Sequence, residues 1–442
     1  MVDLKLLVIG LLLWIPISAT TQESGEPGPD QWDLNRCLEY ALDNNIQLNK
    51  SRLAYTTAEA NVLQAKGQRL PNLNASVTQS GDNRRGENAE GWDFSYGGSA
   101  SINSGITLYS GGAINADISR SNLAKEAALL TVDITEMDIS MSVVQAYLNV
   151  LYAHENLKYY KEVSGLSLKQ LERTQRLLEA GSVSRRDLID MEAQLASDNY
   201  SVVTATNTLT QRTTDLKQLL EIPVEEEFEV FVPQEEVSVI MEPLSDRMDV
   251  FEATLRNRPD VQYSALQKDI AEMDLRSARA AYLPTLSASA SMGTDYRDLS
   301  SYSYGSQLSD NWNQRISLSL SIPIFNRLST KSNVARSKIN IEQADLTLTN
   351  TRNKLLQEVE RIYEETYAGQ QRYLAAMAQK KASEESYNLA IEQYNLGMLN
   401  SIELLQTRNN WLNANRELIQ ARYNSLLYKK ILDYYMGVPL VM

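Results

Sequence analysis

Cysteine and histidine are the side chains best suited to nucleophilic or metal chemistry near neutral pH. This chain of 442 residues has one of each, Cys37 and His154. A thiolate nucleophile needs a base beside it, and a structural or catalytic metal site needs three or four ligands. Two residues lying in separate helical patterns supply neither. A lone cysteine also forbids a disulfide within the chain. Carboxylates are plentiful, but no motif singles out an acid/base pair. The residues therefore point away from an enzyme, and neither a cofactor nor a metal site is expected. Acidic residues outnumber basic ones 56 to 42, a net charge of −14. That surface repels phosphate, which argues against nucleic acid as a partner, and it suits a cation-favouring vestibule.

With bond-making set aside, the elements carry the argument. Residues 1–21 combine Lys5, an apolar run of twelve residues (6–17) and a small-residue end at Ile17-Ser18-Ala19. The run matches the ~7–15 residues of a signal h-region and falls short of the ~20 needed for a spanning helix. A signal peptide over 1–21 and a flexible leader over 22–33 are expected. No cysteine follows the apolar run, so no lipid anchor is expected.

The rest of the chain says the same thing twice. A shift of 213 residues lays RLPNLNAS at Pro71 over YLPTLSAS at Pro284, and Leu42, Asn44 and Ala65 over Leu255, Asn257 and Ala278. Further on, a shift of 216 superposes Val143, Tyr147, Gly181, Leu188 and Asn199 on Val359, Tyr363, Gly397, Leu404 and Asn415. Duplication on this scale makes each half one structural unit. The expected organisation is a first repeat over 34–221, a linker over 222–250 and a second repeat over 251–442.

Each repeat mixes two periods. A helical pattern over about 34–70 stops at Pro71, because proline ends a helix. Alternation follows: Leu73, Ala75, Val77, Phe94, Tyr96, Ala100, Ile102, Ile106 and Leu108 oppose a row of Asn, Ser and Thr. The second repeat alternates likewise over 285–325, with a loop near 297–311. Period two sustained this long means strands, so β-hairpins are expected at 72–109 and 285–325. Trp92, Tyr96, Tyr296, Tyr302, Tyr304 and Trp312 gather near the loop ends, with Tyr109 and Phe325 opposite, as an interfacial aromatic belt would. Strands with one aliphatic and one polar face suit a membrane barrel. Four strands cannot close one, so a membrane reading demands several copies. The remaining patterns are helical to about Ala180 and Glu221, and again to Leu396 and Tyr435. At 1.5 Å per residue the longest reach about 100 Å. Such helices must pack along one another as a coiled coil or helical tube. The linker is acidic and proline-bearing, with a short β-like stretch at Phe228 to Val232.

Over nearly all of this length the chain resembles the TolC-like outer-membrane efflux proteins. The resemblance rests on Leu70-Pro71-Asn72-Leu73 and Leu283-Pro284-Thr285-Leu286, on ITLYSGG at Ile106–Gly112 and IPIFN at Ile322–Asn326, and on the turns within Leu177–Leu195 and Glu392–Leu412. It implies a mixed α and β membrane protein: a homotrimer whose twelve strands form one outer-membrane β-barrel, continuous with a long periplasmic α-helical barrel. It further implies a passive export duct in a Gram-negative outer membrane, joined to an inner-membrane pump by a periplasmic adaptor (membrane fusion protein). The linker would belong to the belt around the tunnel.

The resemblance also carries residues. Glu403 and Gln406 match the acidic pair lining a periplasmic constriction, and Asp187, Asp190 and Tyr394 match the polar gate around it. Gly181, Ser182, Val183, Gly397, Met398 and Leu399 match turns that meet the adaptor. Two positions depart from the pattern. Gln406 is neutral where an acid is common, and Leu399 stands where a network arginine can occur. The alternative from another class is a soluble exported coiled-coil scaffold without channel activity, which leaves the uniformly apolar hairpin faces unexplained.

Overall fold

The computed structural model describes residues 31–85, 92–233, 240–298 and 302–440. The expected signal peptide, the leader up to residue 30, the tip of the first hairpin loop and part of the linker lie outside these residues. Two short helices, α1 (Leu34–Asn44) and α2 (Ile46–Gly67), precede strands β2 (Asn72–Arg85) and β3 (Trp92–Ser110). Then come α3 (Ala113–Glu179) and α4 (Arg185–Leu219). The second repeat runs α5 (Arg247–Asn257), α6 (Pro259–Ala280), β5 (Thr285–Arg297), α7 (Tyr304–Asp310), β6 (Asn313–Ser321), α8 (Ser329–Asn395) and α9 (Ser401–Tyr435). Helices α3 and α8 have 67 residues each, and α4 and α9 have 35 each. Helices α3 and α4 are thus matched in length by α8 and α9.

The helix expected over about 34–70 is two helices. Asn45 adopts a non-helical ψ of 125°, and its side chain accepts from the N–H groups of Gln47 and Leu48. An Asn that caps a new helix ends the old one. In the second repeat Arg258 and the following Pro259 make the same break. The loop expected at 297–311 contains α7, tied down by the Arg297 N–H donating to Gln307 Oε1 at 2.9 Å and by Tyr304 packed on Tyr96 and Tyr296.

The four long strands form one antiparallel sheet in the order β2-β3-β5-β6. Its register sorts the side chains into a mainly apolar and a mainly polar face, with Ser104, Thr294 and Gln314 as polar members of the apolar rows. One face carries rows such as Ala75–Ile102–Met292, with Leu286 opposite Leu320 and Ala288 opposite Leu318. The other carries Asn74–Asn103–Ser291–Arg315 and Ser76–Ser101–Gly293–Asn313, with the Ser76 and Ser101 hydroxyls 2.9 Å apart. Leu108 leaves the expected alternation, because a bulge between Thr107 and Tyr109 puts Tyr109 opposite Leu286 instead. Away from α7, which packs on Tyr96 and Tyr296, the apolar face is bare among the described residues: Leu73, Val77, Ile316, Leu318 and Leu320 are all exposed, Val77 to 85%. Neither β2 nor β6 has a strand on its outer side among the described residues. No described helix is long and apolar enough to cross a membrane.

The largest core sits midway along the helices. Leu34, Cys37, Ala41 and Leu48 pack there against Val143, Val144, Tyr147 and Leu151 of α3 and Leu216 of α4. Cys37 is fully buried, and burial pushes its thiol up to about 12, so it is an inert hydrophobe. The end of the expected flexible leader is part of this core. Gln31–Trp32 (β1) pairs in parallel with Glu229–Val230 (β4), Trp32 is buried with Arg36 4.4 Å over its ring, and the Asp33 carboxylate caps α1. The Tyr147 hydroxyl donates to Phe231 O at 2.7 Å and fastens the linker to α3. A second cluster, with Val250, Val359, Ile362 and Leu432, repeats the arrangement in the other half.

Helix α4 ends with Glu221 at φ 60°, where the second repeat has Gly437 at φ 91°. A left-handed non-glycine residue costs roughly 1–2 kcal/mol. Glu221 offsets that cost by accepting from the Ile46 N–H at 3.0 Å, capping the first turn of α2. Glu221→Ala keeps the strain and loses the cap, lowering stability by about 1 kcal/mol. Glu221→Gly loses the cap but relieves the strain, so its melting temperature should fall less than that of the Ala variant in thermal unfolding.

Candidate functional site

The candidate site lies where the long helices turn back. Gly181 and Gly397 both have φ 72°, and open space surrounds the position of an added Cβ at each. The Gly181 N–H donates to Leu178 O and the Ser182 N–H to Leu177 O; Gly397 and Met398 repeat this with Tyr394 and Gln393. This paired closure needs a left-handed residue, which is why glycine stands at both turns. Helix α4 then starts with a capping box: Ser184 Oγ accepts from the Asp187 N–H, and the Asp187 carboxylate accepts from the Ser184 N–H at 2.9 Å. Helix α9 starts with Asn400, whose side chain accepts from the Glu403 N–H at 2.9 Å. Asp187 and Glu403 are thus equivalent third-position carboxylates near two helix N-termini.

Their surroundings differ. Asp187 is engaged by Ser184, whereas Glu403 is exposed and its carboxylate makes no hydrogen bond or ion pair within the described chain. Asp190 accepts from the buried Ser401 hydroxyl at 3.1 Å, which ties α4 to the start of α9. Tyr394 is 2% exposed, and its hydroxyl lies 3.4 Å from that of Thr174 on α3. Burial raises the Tyr394 pKa, and the charges of Asp187 and Asp190 add to the effect. Asp187 and Tyr394 therefore share one electrostatic neighbourhood without bonding each other. Gln406 is exposed beside Glu403 on the same face of α9. At the turns, Gly181, Ser182, Gly397 and Met398 are exposed and Val183 is half-buried. Leu399 departs from an outward role, since it packs on the cluster of Tyr387, Ala390, Tyr394 and Leu404.

Sequence reasoning missed the strongest polar group in this region. Asp198 on α4 and Arg408 on α9 form an ion pair at 2.6 Å, with side chains only 7% and 6% exposed. Ser167 donates to Asp198 Oδ2, Arg408 Nη2 donates to Ser167 at 2.7 Å, and Gln194 donates to Asp198 Oδ1 at 3.0 Å. Removing one partner from such a pair typically costs about 3–5 kcal/mol, because the other charge stays buried alone. A signal was present. Asp198 falls seven residues after buried Met191 and seven before buried Ala205, and Arg408 seven after buried Ser401. Opposite charges inside two buried helix seams invite a pairing. His154 and Cys37 take no part, and no group of three possible metal ligands occurs among the described residues.

The Asp187 carboxyl is subject to a burial effect that raises its pKa, but hydrogen bonds from Ser184 and Ser401 outweigh it and hold the pKa below its ordinary value. A depressed folded-state pKa gives stabilisation that is present above the unfolded value and lost as pH falls through the folded one. The stability difference between wild type and Asp187→Asn should therefore stay level down to about pH 4 and shrink below it. Denaturant titrations of both proteins across acid pH test this.

Comparison with known proteins agrees with this geometry. Residues 37–221 and 250–437 match the family model described as outer membrane efflux protein. The chain is 22% identical over 417 residues to the toxin and drug export protein A of Aggregatibacter actinomycetemcomitans, covering 91% of this chain and 86% of that one. It is 25% identical over 311 residues to the outer membrane protein TolC of Escherichia coli (strain K12), covering 67% of this chain and 61% of TolC. Among solved structures, CusC superposes with a TM-score of 0.81 at 18% identity, covering 92% of both chains.

Proposed function

This chain belongs to the outer membrane efflux protein family, and from that membership we propose that it is the passive, gated outer-membrane duct of a tripartite export machine. The carrying observation is the sheet. Its strands have one bare aliphatic face, one serine- and asparagine-rich face and two open edges. Lipid tolerates the first and forbids the last. Three copies would bring the strands to twelve, let each β2 edge meet a neighbour's β6 edge, and line the pore with the polar rows. A soluble scaffold would leave the aliphatic face bare in water.

Below the barrel the long helices would continue as a tunnel across the periplasm, with the β1–β4 strap and the linker as a belt around it. Each repeat, 34–221 and 251–442, would serve as one half of the protomer wall. The duct performs no chemistry. An inner-membrane pump would supply the energy, and a periplasmic adaptor would grip the exposed turns at Gly181, Ser182, Val183, Gly397 and Met398.

The gate would be the tip. Asp187, Asp190 and Tyr394 hold the turns in place from within one chain. Glu403 faces out, free of partners, and three copies would set three carboxylates around the axis with neutral Gln406 behind them. Such a ring favours cations. Single-channel recordings of the purified trimer in planar bilayers should give a small, cation-selective resting conductance. Glu403→Gln should cut that selectivity by about half or more, and unchanged selectivity would move the filter elsewhere in the tunnel. Gly397→Asp, which burdens a φ of 72° and adds charge at the tip, should block export in cells while the trimer still assembles. Normal export by that variant would remove the turn from the adaptor interface.

A further inference from the structure

The middle of the sheet holds a single charged residue. Residues 72–80, 97–110, 285–294 and 313–321 are neutral except for Arg315 on β6. Acids and bases return toward the loops, at Asp82, Asp295 and Arg297. Arg315 belongs to the row Asn74–Asn103–Ser291–Arg315 on the polar face. It is exposed, and its guanidinium makes no hydrogen bond or ion pair within the described chain. A charge at membrane depth is costly unless it faces a partner or water, so one that is present marks a path for ions or substrate.

Among the described residues nothing beside Arg315 supplies an anion. Its polar-face neighbours are Ser289, Ser291 and Gly293 on β5, and Asn313 and Ser317 along β6. The other flank of β6 is the open edge that a neighbouring copy's β2 would meet. From Asn72 to Ser80 the polar face of that strand offers only amides and hydroxyls, and its first acid is Asp82 toward the loop. Such groups can hydrogen-bond a guanidinium, but they leave its charge uncancelled. A barrel of about eight strands is filled by its own side chains, and one of about sixteen encloses water. Three sheets of four strands fall between these sizes. Symmetry would then set three guanidiniums at one height around a lumen that ions must pass.

We propose that three copies of Arg315 form a ring of cations in the barrel lumen, which attracts small anions and repels cations arriving from outside. The proposal rests on the trimeric-duct reading. It gives the duct two filters of opposite sign, the Glu403 carboxylates at the tip and the Arg315 guanidiniums in the barrel, separated by the length of the helices. The guanidinium fork matches the oxygens of carboxylates and phosphates, so anions bearing those groups are the ones the ring favours most. Salt sets its reach. A charge on the wall acts over about 30 Å at 0.01 M ionic strength and about 10 Å at 0.1 M, so the filter is strong in dilute solution and fades in concentrated salt.

Full-length variants in planar bilayers test this, with detergent-solubilised mass as the control for assembly. A Glu403→Gln parent removes the tip carboxylates, so that they do not mask the barrel. Across a KCl gradient of about 0.01 against 0.1 M, Arg315→Gln in that parent should raise the permeability of potassium over chloride about threefold. Arg315→Glu should raise it further, and Arg315→Lys, which keeps the charge, should match the parent. Arg315→Asn stands in if Arg315→Gln fails to assemble. Near 1 M salt, where screening shortens to about 3 Å, the differences should vanish. Conducting trimers of Arg315→Gln and Arg315→Glu with the parent's selectivity overturn the ring and leave the duct standing, the result expected where a neighbour's Asp82 cancels the charge. A rise that persists undiminished near 1 M salt reflects a change of pore shape and also overturns the ring. A wild-type protein that stays monomeric and never conducts removes the duct and the proposal together.

Discussion

A backbone amide in hydrocarbon must have a partner, and this constraint governs everything above the helices. The sheet satisfies its inner strands and leaves β2 and β6 each with a free edge. Water can satisfy such an edge, but lipid cannot. The aliphatic face, with Val77 and Ile316 almost wholly bare, is unfavourable in water and at home in lipid. One chain therefore carries a membrane surface that it cannot close alone, and association with further copies follows from hydrogen bonding rather than from any apolar contact between them.

The helices inherit their geometry from the strands. At each strand-to-helix switch two successive residues take left-handed backbone: Gly111 and Gly112 in the first repeat, Arg327 and Leu328 in the second. Gly111 admits no side chain, since a Cβ there would lie 2.7 Å from Ala280 O. The second repeat makes the same turn with non-glycine residues and bears a strain of roughly 1–2 kcal/mol at each. The switch is thus a fixed corner that sends each long helix down from the sheet. The mid-height core, centred on Tyr147, Leu148 and Leu216, holds the helices together where the short helices and the linker strap surround them.

Toward the tips the packing changes character. Apolar contacts thin to the small cluster of Tyr387, Ala390, Tyr394 and Leu404, and polar links take over. Hydrogen bonds and ion pairs are directional, so they fix register where interdigitated aliphatic side chains would permit sliding.

Much of this was legible in the chain itself. Period-two alternation fixed the faces of the strands, Pro71 and Pro284 marked the helix-to-strand switches, and Gly181 and Gly397 marked the turns, because each of these signals is a local steric or hydrogen-bonding rule acting within a few residues. The break at Asn45 and the helix at Tyr304–Asp310 were less visible, since a capping Asn and a short serine-started helix look like ordinary polar positions until their backbone is seen. The bulge at Leu108 was invisible for a related reason: register belongs to two strands, not one. The placement of Trp32 in the core, the inward turn of Leu399 and the Asp198–Arg408 pair were decided by tertiary structure alone. Arg408 lies 210 residues from Asp198 along the chain, and the seven-residue spacing marks each as a seam position without specifying its partner. Sequence settles what each segment can be, through forces that reach a turn or two. Which distant charges meet is settled only when the helices pack, because the energy of pairing exists only once both are taken out of water together.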